Sequence, residues 1–120
     1  MSNQIVWVDI PVKDLDRAIT FYSAVLGAPV KKEQLPEMTI GILPHEEGEV
    51  GGCLFKMEGE APSTQGPLIY LNANARLDQA IAAVEANGGK VLVPKHPIGP
   101  YGFRAVVLDC EGNRVALHSD

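Results

Sequence analysis

A chain of 120 residues is long enough for one compact core and too short for two ordinary independent ones, and its 46% hydrophobic and 21% charged residues place it among globular chains. Its 10 Lys and Arg against 15 Asp and Glu leave a net charge of −5, which offers no basic footprint to a phosphate backbone and argues against a nucleic-acid partner. No apolar run approaches the roughly 20 residues that cross a bilayer, and the first residues carry no basic-then-apolar leader, so a cytoplasmic protein with no membrane partner is expected. Cys53 and Cys110 are far apart and in no CxxC arrangement, which predicts reduced thiols and neither a disulfide framework nor a zinc site.

The β-rich run at 5–12, IVWVDIPV, predicts a first strand. Leu15, Ala18, Ile19, Tyr22 and Leu26 then form the stripe of a helix lying on a sheet, over about 14–26. Asp14 is suited to cap its start, Asp16 adds negative charge to its first turn, and Gly27 offers a left-handed stop. Strand-like segments follow at about 28–33, 37–43 and 50–58, separated by Leu35-Pro36 and the Gly- and Glu-rich stretch 44–52.

After the linker-like EGEAPSTQG at 58–66 the order repeats. PLIYLNA at 67–73 reads as a strand, and Leu77, Ala80, Ile81 and Val84 mark a second helix over about 76–88, closed by Gly88 and Gly89. Further strands are expected at about 90–95, 102–109 and 113–119. LDRAI at 15–19 returns as LDQAI at 77–81, an offset of 62 (77 less 15). The chain therefore reads as an internal duplication, with βαβββ module one over about 1–60 and module two over about 64–120. Neither half has a comfortable core of its own, so they should pair into a single α+β domain over 1–120.

Two motifs carry a family resemblance. Val12, Asp14, Leu15, Ala18, Phe21, Tyr22, Leu26 and Gly27 match an opening V-x-D-L-x-x-A-x-x-F-Y-x-x-x-L-G pattern. Asp109, Glu111, Gly112 and Asn113 match a closing D-P-D/E-G-N turn, with Cys110 in place of its Pro. Together, around a duplicated unit, they resemble the glyoxalase, bleomycin resistance and dioxygenase (vicinal oxygen chelate) superfamily. Gly51-Gly52, Pro62-Ser63, Gly88-Gly89-Lys90 and Leu117-His118-Ser119 are similar to a branch of small bacterial proteins described as related to lactoylglutathione lyase. The resemblance implies paired βαβββ modules forming a curved mixed sheet around a cavity for small molecules or metal-bound substrates, and frequent dimers.

Enzymes of this superfamily commonly hold a divalent ion with His, Gln and Glu side chains from four strands. Carried onto this chain, those positions fall on Trp7, on one of Gly52, Cys53 and Leu54, on one of Leu68, Ile69 and Tyr70, and on Ala116. Indole has no lone pair for a metal and alanine has no donor, so no metal ligand set and no cofactor are predicted. A two-residue shift of register would bring in Asp9 and His118, with Cys53 as a third donor, and is the one arrangement that restores a metal site.

Strand alternation places Trp7, Asp9 and Pro11 on the cavity side, with Val8, Ile10 and Val12 beneath the helices. Arg114, Ala116 and His118 likewise face the cavity, and Val115 and Leu117 pack inward. Phe55 and Tyr70 are candidate apolar walls, while Tyr101 and Phe103 lie on a Gly- and Pro-punctuated rim. An acid inside a strand wants a partner, and Arg114 or His118 is the candidate for Asp9. His45 and His96 read as solvated loop residues. The expected function is metal-independent binding of a small molecule by a homodimer, with Trp7, Asp9, Phe55, Tyr70, Tyr101, Arg114 and His118 as binding residues. The alternative is a lyase or dioxygenase using a metal or an Asp9–His118 pair.

Overall fold

In the computed structural model, which describes residues 3–120, Leu15–Leu26 form helix α1 with both of its ends marked as the sequence predicts. The Asp14 carboxylate accepts the Arg17 N–H at 3.1 Å, and Gly27 adopts φ 69° while its N–H reaches the Ser23 carbonyl. A side chain at 27 would be strained by that positive φ, and its Cβ would lie 2.6 Å from the Arg76 guanidinium carbon.

Four strands accompany α1: β1 (Trp7–Pro11), β2 (Lys31–Gln34), β3 (Thr39–Ile42) and β4 (Gly51–Phe55). The second half supplies β5 (Ile69–Asn72), α2 (Leu77–Ala86), β6 (Lys90–Pro97), a 3-10 turn at Gly99–Tyr101, β7 (Phe103–Leu108) and β8 (Arg114–Ser119). Each half builds a mixed four-stranded sheet, in the orders β1-β4-β3-β2 and β5-β8-β7-β6. The first strand of each half runs parallel to the last, and the other neighbours are antiparallel. Identical wiring of the two βαβββ modules is the structural counterpart of the repeated helix stripe.

Several element ends fall two or three residues inside the expected bounds, and two of the differences have a reason in backbone chemistry. β2 starts three residues later than 28, beyond Pro29, which has no N–H to give a ladder. β6 extends to Pro97 instead of ending near 95, passing Pro94 by irregularities of register between Val91 and His96. His96, read from sequence as loop surface, is consequently a strand residue paired with Arg104.

Both helices face one shared core. Ile10, Val12, Phe21, Tyr22, Val25 and Leu54 from the first half meet Leu77, Val84, Val107, Val115 and Leu117 from the second, all under 5% exposed. The two motifs are where the modules lock together. Buried Asp109 accepts the Tyr22 hydroxyl at 2.6 Å, the N–H groups of Glu111 and Asn113 at 2.8 and 2.9 Å, and the Asn113 amide at 3.0 Å. Asn113 also donates to the Pro11 carbonyl at 2.8 Å. Burial, reinforced by Asp109, pushes the Tyr22 phenol well above its ordinary pKa, so it remains a donor. Helix α1 is held at each end by module two: Glu111 accepts from the N–H groups of Lys13 and Asp14 and pairs with Arg17, and Arg76 donates to the Val25 carbonyl at 2.6 Å.

Burial alone would push the Glu111 carboxyl up, but the Lys13 and Asp14 N–H groups and the Arg17 guanidinium outweigh it and hold it below the usual carboxylate range. The folded state thus binds this proton less readily than the unfolded chain. The stability it adds is complete above the unfolded-state pKa and is lost as pH falls through the lowered folded value. Glu111→Gln is expected to flatten the acid limb of a stability profile, as read from urea midpoints between about pH 7 and about pH 3. Parallel profiles for the two proteins would remove Glu111 as a contributor.

Candidate functional site

The face of each sheet turned away from the helices carries the polar and aromatic side chains. On the first sheet, cross-strand register sets Trp7 opposite Gly51, Asp9 opposite Cys53 and Pro11 opposite Phe55. Ile40 and Ile42 extend that face across β3. Trp7 donates its indole N–H to Asp9 at 2.9 Å, and the Cys53 thiol donates to the same oxygen at 3.3 Å. The Trp7 ring meets His45 edge-on, with centroids 5.8 Å apart at 87°. Both rings lie over Gly51, where a Cβ would sit 2.8 Å from the indole and 2.9 Å from the imidazole. His45 is thus part of the face and not only a solvated loop residue, its Nδ1 resting 2.9 Å from the Leu43 carbonyl. Beside it an open cleft of about 650 Å³ is lined by Pro29, Lys31, Ile42, Pro44, His45 and Glu49 among others.

On the second sheet Tyr70 lies opposite Ala116, and Asn72 opposite His118. Arg104 on β7 is opposite His118 on one side and His96 on the other. The Tyr70 and His118 rings are 6.2 Å apart, and His118 Nε2 lies 2.6 Å from the Tyr101 carbonyl. A second open cleft, of about 570 Å³, runs along Pro100, Tyr101, Gly102, His118 and Asp120.

The seven sequence-predicted residues therefore fall into two groups. Trp7, Asp9 and Phe55 share the first face, while Tyr70, Tyr101, Arg114 and His118 belong to the second sheet or its rim. Trp7 and Asp9 are joined directly, as are Tyr101 and His118. Asp9 is not joined to Arg114 or His118, because β1 and β8 lie in different sheets. Arg114 instead donates to the Gly66 carbonyl at 2.9 Å, and its buried Nε has no hydrogen-bond partner among the described residues. Arg104 was not singled out from sequence, and His45 and His96 were read there as loop surface. Alternation along FRAVVL puts Arg104 on the same face as Val106, but only the folded register reveals Tyr70 two strands away.

Of the positions at which the resemblance places metal donors, Tyr70 and Ala116 are cross-strand partners, while Trp7 lies opposite Gly51, one residue before the Gly52–Leu54 stretch. Indole and methyl groups supply no donor to a divalent ion, and Tyr70 and Cys53 alone do not make a ligand set. Cys53 is the nearest soft donor, and burial, then Asp9, pushes its thiol up to about 11. Among the described residues no three His, Cys, Asp or Glu side chains are grouped to hold a metal ion.

The sequence profile of the Glyoxalase/Bleomycin resistance protein/Dioxygenase superfamily matches residues 4–117. A "Glyoxylase-like domain-containing protein" of Didymella fabae is 33% identical over 129 residues, covering 98% of this chain and 94% of that protein. Among solved structures, a glyoxalase/bleomycin resistance protein from Albidiferax ferrireducens T118 superposes with a TM-score of 0.77 at 20% identity, covering 98% of this chain and 99% of the other. The genomically encoded fosfomycin resistance protein from Listeria monocytogenes gives 0.68 at 14% identity, over 100% of this chain and 95% of the other. At these identities the solved structures speak to fold, and the profile match over nearly the whole length speaks to ancestry. The chain belongs to the Glyoxalase/Bleomycin resistance protein/Dioxygenase superfamily, whose fold is one for binding small molecules.

Proposed function

We propose that the protein binds a small organic molecule between its two exposed sheet faces, in a cavity completed by a homodimer, without the divalent ion that the superfamily resemblance implies. The observation that carries this reading is the chemistry of the faces. Trp7, Phe55 and Tyr70 offer flat apolar contact, and Asp9, Arg104 and His118 offer a few polar groups, the composition usual for a ligand site. Two of the positions where the resemblance puts a metal donor, Trp7 and Ala116, carry no lone pair for one.

The dimer rests on exposure. β1 and β5 are edge strands, and the approach to β1 presents Ile5, Val6 and Trp7 at 69%, 70% and 44% exposure. An apolar unpaired edge is a template for another strand. Joining β1 of one copy to β5 of a second would set a Trp7 face beside a Tyr70 face.

Trp7 is the sole tryptophan and reports from inside the site. In metal-free buffer, a panel of small aromatic and aliphatic compounds is expected to include members that change its emission saturably. Protein purified without an affinity tag is expected to carry less than one equivalent of metal. Stoichiometric, tight binding of zinc, nickel or manganese that disappears in Asp9→Ala or His118→Ala would overturn the proposal and favour a metal-using lyase or dioxygenase.

A further inference from the structure

Arg104 stands on the exposed face of the second sheet, and among the described residues no acid pairs with it. Its Nε donates to His96 Nε2 at 3.0 Å. His96 Nδ1 lies 2.8 Å from the Pro94 carbonyl, so Nδ1 carries the proton and the ring is an acceptor toward Arg104. Arg104 Nη1 donates to the Tyr70 hydroxyl, and the guanidinium carbon lies 5.9 Å from the Tyr70 ring centroid. Because Tyr70 is on β5 and Arg104 on β7, this bond crosses β8 between Ala116 and His118. The methyl group of Ala116, 0% exposed, leaves the room for that crossing.

Both acceptors of Arg104 are neutral groups. The ion pairs among the described residues are Arg17–Glu111, Lys32–Asp16 and Lys95–Asp78, so no carboxylate answers this charge in a chain whose net charge is −5. The Nη2 donors have no protein acceptor among the described residues. A partly buried guanidinium, held on two sides and open on its fork, is matched by a planar or tetrahedral oxyanion.

We propose that the Arg104 face is an oxyanion subsite, taking the carboxylate or phosphonate group of a small organic ligand on the Arg104 guanidinium, with Tyr70 and His96 holding that guanidinium in place. The inference rests on the small-molecule reading above and names the chemical class of its ligand. It sets a fixed positive charge beside Ala116, one of the positions where the superfamily resemblance puts a metal donor.

The test is a titration of isotopically labelled native protein, followed by NMR, with benzoate, phenylphosphonate and the neutral benzamide. Either anion is expected to perturb the Arg104 Nε–H and the amides of Tyr70 and His118, and to bind about tenfold or more tighter than benzamide. The ratio between the two anions distinguishes a carboxylate from a phosphonate preference. Arg104→Gln should reduce anion affinity to the benzamide level, abolishing the anion-over-amide preference. Arg104→Lys should restore only part of the loss, because an ammonium lacks the fork. If Arg104→Gln does not fold, the native anion-to-amide ratio and the Tyr70→Phe variant, expected to weaken the anions more than benzamide, carry the test.

Equal affinity for benzoate and benzamide, unchanged anion binding in Arg104→Gln, or anion perturbations confined to other surfaces would each overturn the subsite while leaving the small-molecule reading intact. Absence of binding by all three compounds at millimolar concentration would also overturn it. The Trp7 compound panel then decides separately whether the broader reading falls.

Discussion

Asp109→Ala is expected to be among the most destabilising single substitutions in this protein, costing about 3 kcal/mol or more. The side chain is 2% exposed and accepts four hydrogen bonds, from Tyr22, Glu111, Asn113 N–H and the Asn113 amide. Its removal strands several buried donors at once, each with a desolvation cost of about 1–3 kcal/mol when left unmet. Tyr22→Phe removes one of those donors and leaves a partly satisfied carboxylate, so a smaller loss of about 1–2 kcal/mol is expected. Against a total stability of about 5–15 kcal/mol for a domain of this kind, the first change removes a large share of the margin and the second a smaller one. Urea unfolding of the three proteins checks the order. A loss below about 1 kcal/mol for Asp109→Ala would show that the motif turn reorganises around solvent.

The second large effect concerns association. Val6→Lys places a charge on the exposed approach to β1, a device natural edge strands use to refuse a partner. If β1 is a dimer edge, light scattering should give twice 12.9 kDa for the native protein and 12.9 kDa for the variant at the same micromolar concentration. The side chain is 70% exposed, so the variant should melt as a folded monomer, and ligand-induced change in Trp7 emission should weaken with it. A native mass of 12.9 kDa would reject the dimer outright. A variant that remains dimeric would move the interface away from β1.

Much of the architecture was legible because it depends on local periodicity. The i, i+3, i+4 stripes locate both helices, Asp14 and Gly27 mark the ends of α1, and period-two alternation assigns the faces of β1 and β8. The repeated stripe at one offset implied two equivalent modules, and both sheets have the same strand order. The strand ends were less legible where proline intervenes. Pro29 delays β2 and Pro94 distorts β6, and sequence alone does not say whether a ladder stops at a proline or bypasses it.

The motifs illustrate the remaining division. Phe21-Tyr22 and the Asp109–Asn113 turn identified the family from sequence, but their physical task is visible only in three dimensions, where Tyr22 of one module meets Asp109 of the other. The same holds for the site. Residue types at the metal positions, Trp7 and Ala116 above all, were readable in the chain because a donor atom is a property of a side chain. Partnership is a property of register and of which strands share a sheet. That is why Asp9 meets Cys53 and not His118, and why Arg104 and Tyr70, 34 residues apart in the chain, join across the space that the small side chain of Ala116 leaves open.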